Sequence, residues 1–294
     1  MARRATAPPL LEFAPAKINL TLCVVGRRAD GYHEIESLVA FARIGDQLSF
    51  APGADLVVSV AGPAAAAVGP AADNLVLKAA GALRDAIDGL TVGHFHLTKR
   101  LPVAAGLGGG SADAAAALRL LARLNRIGLD DPRLLRAAIA TGADVPVCLA
   151  RWPRVMRGIG EVLSKPLGLP LLPAVLVNPR QQLATKDVFA WFDLLPDQVG
   201  SARPMAEIPR ESQALVSFLA EQANDLEAAA IAQLPAVAHV LAALRSLDGC
   251  RLARMSGSGA SCFALFESSD AAAAAARHLR RLRRYWWVRA TVLG

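Results

Sequence analysis

The first 60 positions read as strands, apolar stretches cut by short polar loops. The pattern predicts an extended segment over 12–25, a loop at GRRADGYH (26–33), and further strands over 35–44, 47–51 and 56–60. At Asp73 the pattern turns helical, and Asp73 reads as the N-cap of a helix over 74–87. Positions 94–101 return to a strand, which runs straight into a glycine-rich loop. Beyond the loop, 111–126 is rich in Ala, Leu and Arg and predicts a helix. Asp131 followed by Pro132 opens another, with Pro at its first helical position. Prolines and short apolar pieces around 164–173 mark a domain junction. After it come a strand (174–178), a helix following Thr185, a poorly patterned stretch near 196–210, and a long Ala/Leu helical region to about Ser246. The end reads strand (251–255), glycine turn, strand (262–267), helix (271–284), strand (286–293). Two α+β domains are predicted, 1–165 and 166–294, with the glycine loop in the first.

Composition narrows the class. The chain has 294 residues, 54% of them hydrophobic, which is ample for a sizeable core. Mean hydropathy is +0.36, yet no apolar run approaches the roughly 18 residues that span a bilayer. Two early arginines precede no secretory apolar region. A soluble, cytoplasmic protein without a membrane partner is therefore expected. Cys23, Cys148, Cys250 and Cys262 are scattered, with no C-x-x-C pair, and read as reduced thiols rather than a disulfide framework or zinc site. Net charge is +7, much of it in RHLRRLRRYWWVR (277–289). That segment reads as a solvated helix face followed by a strand, not a nucleic-acid or lipid patch. Leu279, Leu282 and the preceding alanines supply an apolar stripe that long Arg stems cover well.

Chemistry concentrates in LPVAAGLGGGSADAAAALRLL (101–121). Gly106, Gly108, Gly109 and Gly110 remove side chains where a backbone must approach something closely. The helix directly after them begins with N–H groups that lack internal partners, at the positive end of its dipole. Together these make a phosphate cradle, to which Ser111 adds a hydroxyl. No Gly-Lys-Ser/Thr closes the loop, so it is not a Walker A motif. Ser111 also stands where a dinucleotide fingerprint needs Gly or Ala. His94 and His96 share a strand face, but no third metal ligand is evident and no metal site is expected there. Taken alone, Asp144 reads as a turn or cap residue, and Lys17 as a strand-edge lysine with its head in water.

PVAAGLGGGSADAAA resembles the phosphate-binding motif of the GHMP kinases, the family of galactokinase, homoserine kinase and mevalonate kinase. APAKINLTL (14–22) resembles that family's first motif, and RMSGSGASCFALF (254–266) its C-terminal glycine motif. The resemblance covers nearly the whole chain. It implies a ribosomal protein S5 domain 2-like N-terminal domain and a ferredoxin-like C-terminal domain. It also implies ATP as phosphoryl donor, with Mg2+ accompanying it, held chiefly by the phosphates. Pro102, Val103, Ala104, Ala105, Gly106, Leu107, Gly108, Gly109, Gly110, Ser111 and Ala112 map onto the phosphate loop, and Asn74 and Lys99 onto the adenine side. Asp144 maps onto the catalytic Asp, with Lys17 as the partner that holds it ionised and stabilises the transferring group.

Within the family, RADGYHEI (28–35), DNL (73–75), GADVP (142–146) and GIGE (158–161) resemble the branch that acts on a cytidine diphosphate derivative. The resemblance implies phosphorylation of the C2 hydroxyl of 4-diphosphocytidyl-2-C-methyl-D-erythritol. Tyr32, His33 and Phe189 would then bind cytosine, with Thr185 one helical turn before Phe189. Asn19, two residues from Lys17 and on its face of the strand, would orient the substrate. Arg180, Ala184 and Lys186 depart from the family pattern, and Ala112 stands where a second Ser is frequent. A monomer or weak homodimer is expected. The rival readings are a homoserine- or mevalonate-type kinase and a nucleic-acid-binding protein. The first has no use for Tyr32 and His33 as a cytosine platform, and the second leaves the loop unexplained.

Overall fold

The structure, a computed structural model, describes residues 10–193 and 207–294; most of the unpatterned stretch near 196–210 lies outside the described residues. In chain order the first elements are β1 (Leu10–Asn19), β2 (Cys23–Arg27), β3 (His33–Pro52), β4 (Val57–Ala61), α1 (Leu75–Ala86) and β5 (Gly93–Thr98). Then come α2 (Gly109–Leu124), α3 (Pro132–Thr141), α4 (Val145–Ala150), β6 (Arg154–Arg157), β7 (Val162–Leu163) and β8 (Leu172–Asn178). The remainder is α5 (Thr185–Phe192), α6 (Ser212–Ala220), α7 (Glu227–Gln233), α8 (Ala236–Arg245), β9 (Leu252–Met255), β10 (Cys262–Leu265), α9 (Ser269–Leu282) and β11 (Trp287–Leu293). The class is α+β, as the pattern predicts. No helix among the described residues is long and apolar enough to cross a membrane.

The residues group into two compact units, both discontinuous in sequence. Among the described residues, one takes in 10–14, 45–100 and 110–149, and the other 15–44, 101–109, 150–193 and 207–294.

In the first unit, β5 pairs antiparallel with the end of β3, from Gln47 opposite Thr98 to Pro52 opposite Gly93, and β4 lies parallel to β5. Phe50 and Phe95 face each other across that ladder at 4.7 Å, fully buried. Each such ring stabilises the unit by about 1.5–3 kcal/mol. Every α2 residue from Ala112 to Ala122 is buried, which alanine permits because its methyl lets neighbouring backbones come close. One of them is Arg119. Its guanidinium reaches Glu12 at 2.9 Å and the carbonyls of Cys148 and Phe13 at 2.8 and 3.1 Å, so the buried cation is partnered. The expected N-cap of α1 is corrected by one residue. Asn74 accepts from the Val76 amide at 3.0 Å, and Asp73 closes a short 3-10 turn instead. Both residue types cap well, so side-chain chemistry alone does not choose between neighbours. Helix α3 opens as predicted, with Asp131 accepting from Arg133 and Pro132 at its first position.

In the second unit, β11, β8, β10 and β9 form an antiparallel sheet in that order. Successive β8 side chains serve opposite faces. Val175 and Val177 pack with the apolar sides of α7, α8 and α9, while Ala174 and Leu176 pack with α6 and the end of β1. The Ala/Leu helical region is built of three helices, α6, α7 and α8. Asn224 interrupts it by giving its amide nitrogen to the Met255 and Gly257 carbonyls at 2.9 and 2.8 Å, and Pro235 caps the start of α8. The two strands predicted over 35–44 and 47–51 are one 20-residue strand, β3. The β6–β7 hairpin and α4 had no sequence signal.

Candidate active site

Strand β1 carries Lys17 and Asn19 into the second unit, where only 4% and 2% of each is exposed. The strand-edge reading of Lys17 is therefore corrected: the residue is buried. Its amide donates to Leu107 O at 2.9 Å, which fixes the strand beside the glycine loop. At Gly108, where φ is +59°, a Cβ would sit 3.0 Å from Lys17 Cβ and 3.2 Å from its Cε. Gly108 thus serves both the positive φ and the passage of the lysine stem.

The loop's second contact is with the C-terminal glycine segment. Ser256 Oγ donates to Gly106 O at 2.8 Å, and the Ser261 amide donates to Ala105 O at 3.1 Å. Asn19 joins the same knot, its amide donating to Ser256 Oγ at 3.1 Å and its Nδ2 to Ser37 Oγ at 2.7 Å. A Cβ on Gly106 would lie 2.3 Å from Ser256 O, so no side chain is tolerated there. Asn19 Oδ1 is buried without a hydrogen-bond partner, beside Gly257, where a Cβ would come within 3.1 Å of it. An unsatisfied acceptor in a space kept clear by glycine suits a ligand hydroxyl. Ala104 adopts φ +50°, an uncommon conformation for a residue with a side chain and one that clusters at functional loops.

Pro102 and Val103 are half-buried, Ala104 is exposed, and Ala105 and Leu107 point into the core. Gly109 is half-buried and begins α2. In the first unit Gly110 is exposed and Ser111 half-buried. Their amides belong to the helical turn that has no intrahelical acceptors. Ala112 is buried, so a hydroxyl at this position would face the core. Asn74 spends its side-chain oxygen on capping α1. Asp144 is half-buried in the turn before α4, and its carbonyl accepts from the Cys148 amide.

Lys99 is placed differently from the expectation. It is 4% exposed, and its ammonium lies 2.6 Å from Asp46 Oδ2 and 2.6 Å from Asp113 Oδ2. Asp46 Oδ1 also accepts from the Arg100 amide at 2.5 Å. Burial acts to lower the Lys99 pKa, but the Asp113 and Asp46 carboxylates outweigh it and raise it. Burial pushes Asp113 up to about 8, with Lys99 opposing and Asp46 adding to the rise. The ammonium engages carboxylates of its own unit rather than presenting itself to an adenine. Asp46 and Asp113 carried no sequence signal. Asp113 lies two residues past Ser111, but only the fold shows that it faces Lys99.

The predicted base-binding residues gather in the second unit. His33 stacks on Phe189 with centroids 4.8 Å apart and planes at 21°, and its Nε2 lies 2.6 Å from Asp193 Oδ1. Arg27 approaches the other oxygen of Asp193 at 3.4 Å. Asp193, just past α5, escaped sequence reasoning. Phe189 packs partly against the core as well. Thr185 Oγ1 pairs with Ser258 Oγ at 2.8 Å, which ties α5 to the C-terminal glycine segment. Tyr32 stands apart, 61% exposed. His94 and His96 do share a face, rings 3.9 Å apart, and both bond to Ser59.

A glycine loop leading into a helix, locked to a second glycine segment beside a buried lysine, marks a phosphoryl-transfer fold. Residues 74–151 match the GHMP kinases N terminal domain, and residues 205–283 the GHMP kinases C terminal domain. The chain belongs to the GHMP kinases. A relative from Bradyrhizobium diazoefficiens named 4-diphosphocytidyl-2-C-methyl-D-erythritol kinase is 53% identical over 98% of this chain and 99% of its own length. One of the same name from Rhodopseudomonas palustris is 54% identical, covering 98% and 99%. A crystal structure of 4-(cytidine 5'-diphospho)-2C-methyl-D-erythritol kinase superposes with TM-score 0.78 at 35% identity, over 97% of this chain and 99% of that one.

Proposed function

We propose that the protein phosphorylates the C2 hydroxyl of 4-diphosphocytidyl-2-C-methyl-D-erythritol with ATP, giving the 2-phosphate and ADP, a step in making isoprenoid precursors outside the mevalonate route. The observation that carries this reading is full-length likeness, at 53% identity, to a relative named for that reaction. Asp144 accepts the hydroxyl proton as the substrate oxygen bonds to the γ-phosphorus and the bond to the bridging oxygen breaks. Lys17 supplies positive charge to the transferring group. The 102–112 loop and the first amides of α2 hold the ATP phosphates, with Asn74 on the adenine side. Asn19 offers Oδ1 to the acceptor. His33 and Phe189, with Tyr32 and Thr185 at the margin, form the cytosine platform. Lys99 acts through its carboxylates rather than by touching the nucleotide.

Among the described residues no group of three or more His, Cys, Asp or Glu side chains is placed to hold a metal ion. Magnesium enters this reading on the phosphate oxygens of ATP, where it would neutralise charge. The division into 1–165 and 166–294, and action as a monomer or weak homodimer in the cytoplasm without nucleic acid, are parts of the same proposal.

An ADP-release assay with this acceptor beside mevalonate, homoserine and galactose tests the substrate, and turnover with another acceptor would overturn it. Asp144→Asn is expected to lose roughly 10²–10⁴-fold in kcat while ATP affinity holds. Full activity in that variant would remove Asp144 from its role.

A further inference from the structure

We propose that Asp113 is a positioning residue for ATP: it is held as a neutral carboxylic acid by its burial beside the Asp46 carboxylate, and so keeps the start of α2 clear of negative charge. The inference rests on reading 102–112 as the phosphate cradle. Its first support is a charge count. One ammonium faces two carboxyl groups, each 2.6 Å away, with side chains no more than 5% exposed. With all three ionised, the cluster would carry a net negative charge out of water, at high cost, and one added proton makes it neutral. Geometry says where that proton sits. Asp46 has donors for both oxygens, Lys99 on one and the Arg100 amide on the other. Asp113 has Lys99 on Oδ2, while its Oδ1 is buried without a partner. A charged oxygen with no donor is the costlier state, so the proton belongs on Asp113. The upward push of burial on Asp113 agrees. Lys99, after β5, and Asp46, on β3, are the charged groups facing it.

Asp113 is the fifth residue of α2, about 3 Å along the axis from Ser111. An ionised Asp113 would set a buried negative charge beside the amides that receive phosphate and would oppose the helix dipole. Losing the proton should therefore weaken ATP binding, and by reciprocity ATP should make the proton harder to lose.

The test measures ATP dissociation constants without acceptor between pH 7.5 and 9.5. Wild-type affinity is expected to fall by roughly tenfold over that range, whereas Asp113→Asn, neutral throughout, stays flat at the wild-type value of pH 7.5. Equal slopes in both proteins, or a flat wild-type profile, would overturn the proposal. In case the variant does not fold, the ¹³C carboxyl signal of Asp113 is followed in the wild-type protein. It should report the protonated form at pH 7, and saturating ATP should raise its midpoint. An ionised carboxyl at pH 7, or a midpoint that ATP leaves in place, overturns the idea. Ser111→Asp separates the underlying reading, since it should abolish ATP binding. Normal binding there would reject the cradle itself, whatever the Asp113 titration shows.

Discussion

Lys99 and His33 each bring a side-chain nitrogen to 2.6 Å from a carboxylate oxygen, and the resemblance ends with the distance. At Asp46–Lys99–Asp113 the side chains are 0–5% exposed; at His33–Asp193 they are 9% and 28% exposed. In the first, every partner has lost its water, so the three groups depend on one another. In the second, solvent stands ready to replace either partner, and His33 is held as much by the Phe189 ring as by the carboxylate. Length alone says little about what a charged contact is worth; burial decides.

The largest effect should come from Lys99→Met, which strands two buried carboxyl groups. A loss of about 3–5 kcal/mol of stability is expected in denaturant titration. A loss below about 1 kcal/mol would show that Lys99 does not hold the cluster. Next is pH. A native Asp113 pKa raised to about 8 means that the folded protein binds this proton more tightly than the unfolded chain does. Its stabilising contribution is complete below the unfolded value near 4 and drains away as pH rises towards 8. Asp113→Asn should remove that slope, and an unchanged slope would assign it elsewhere. In the half-exposed region, Phe189→Leu keeps the core contact and loses the aromatic face. The acceptor KM should rise by roughly 5–10-fold with the ATP KM unchanged, and equal changes in both would remove Phe189 from the base platform. Smallest is Asp193→Ala, expected to cost about 0–1 kcal/mol of stability. A loss as large as that of Lys99→Met would erase the contrast drawn above.

The same contrast explains what the sequence made legible. Backbone-built features announce themselves locally: the glycines at 106, 108, 109 and 110, the Asp131 cap with Pro132 behind it, and the long Ala-rich α2. Side-chain clusters do not. Asp46 follows Gly45 and reads as a break between two strands, yet it is a buried interior residue of β3 whose partner lies 53 positions away. Asp193 and His33 are 160 positions apart, beyond any local periodicity. The burial of Lys17 was likewise hidden, because a single charged residue in an apolar strand looks the same at an edge or in an interior.

The knot between Gly106 and Ser256 joins residues 150 positions apart, and Asn19 to Ser256 spans 237. At about 5–20 residues per second of translation, Asn19 waits on the order of 10–50 s for its partner to be made. The glycine-rich loop of this kinase is therefore among the last parts to take shape. A nascent chain halted before the C-terminal glycine segment would carry the 102–112 loop in full and still be without the segment that sets it.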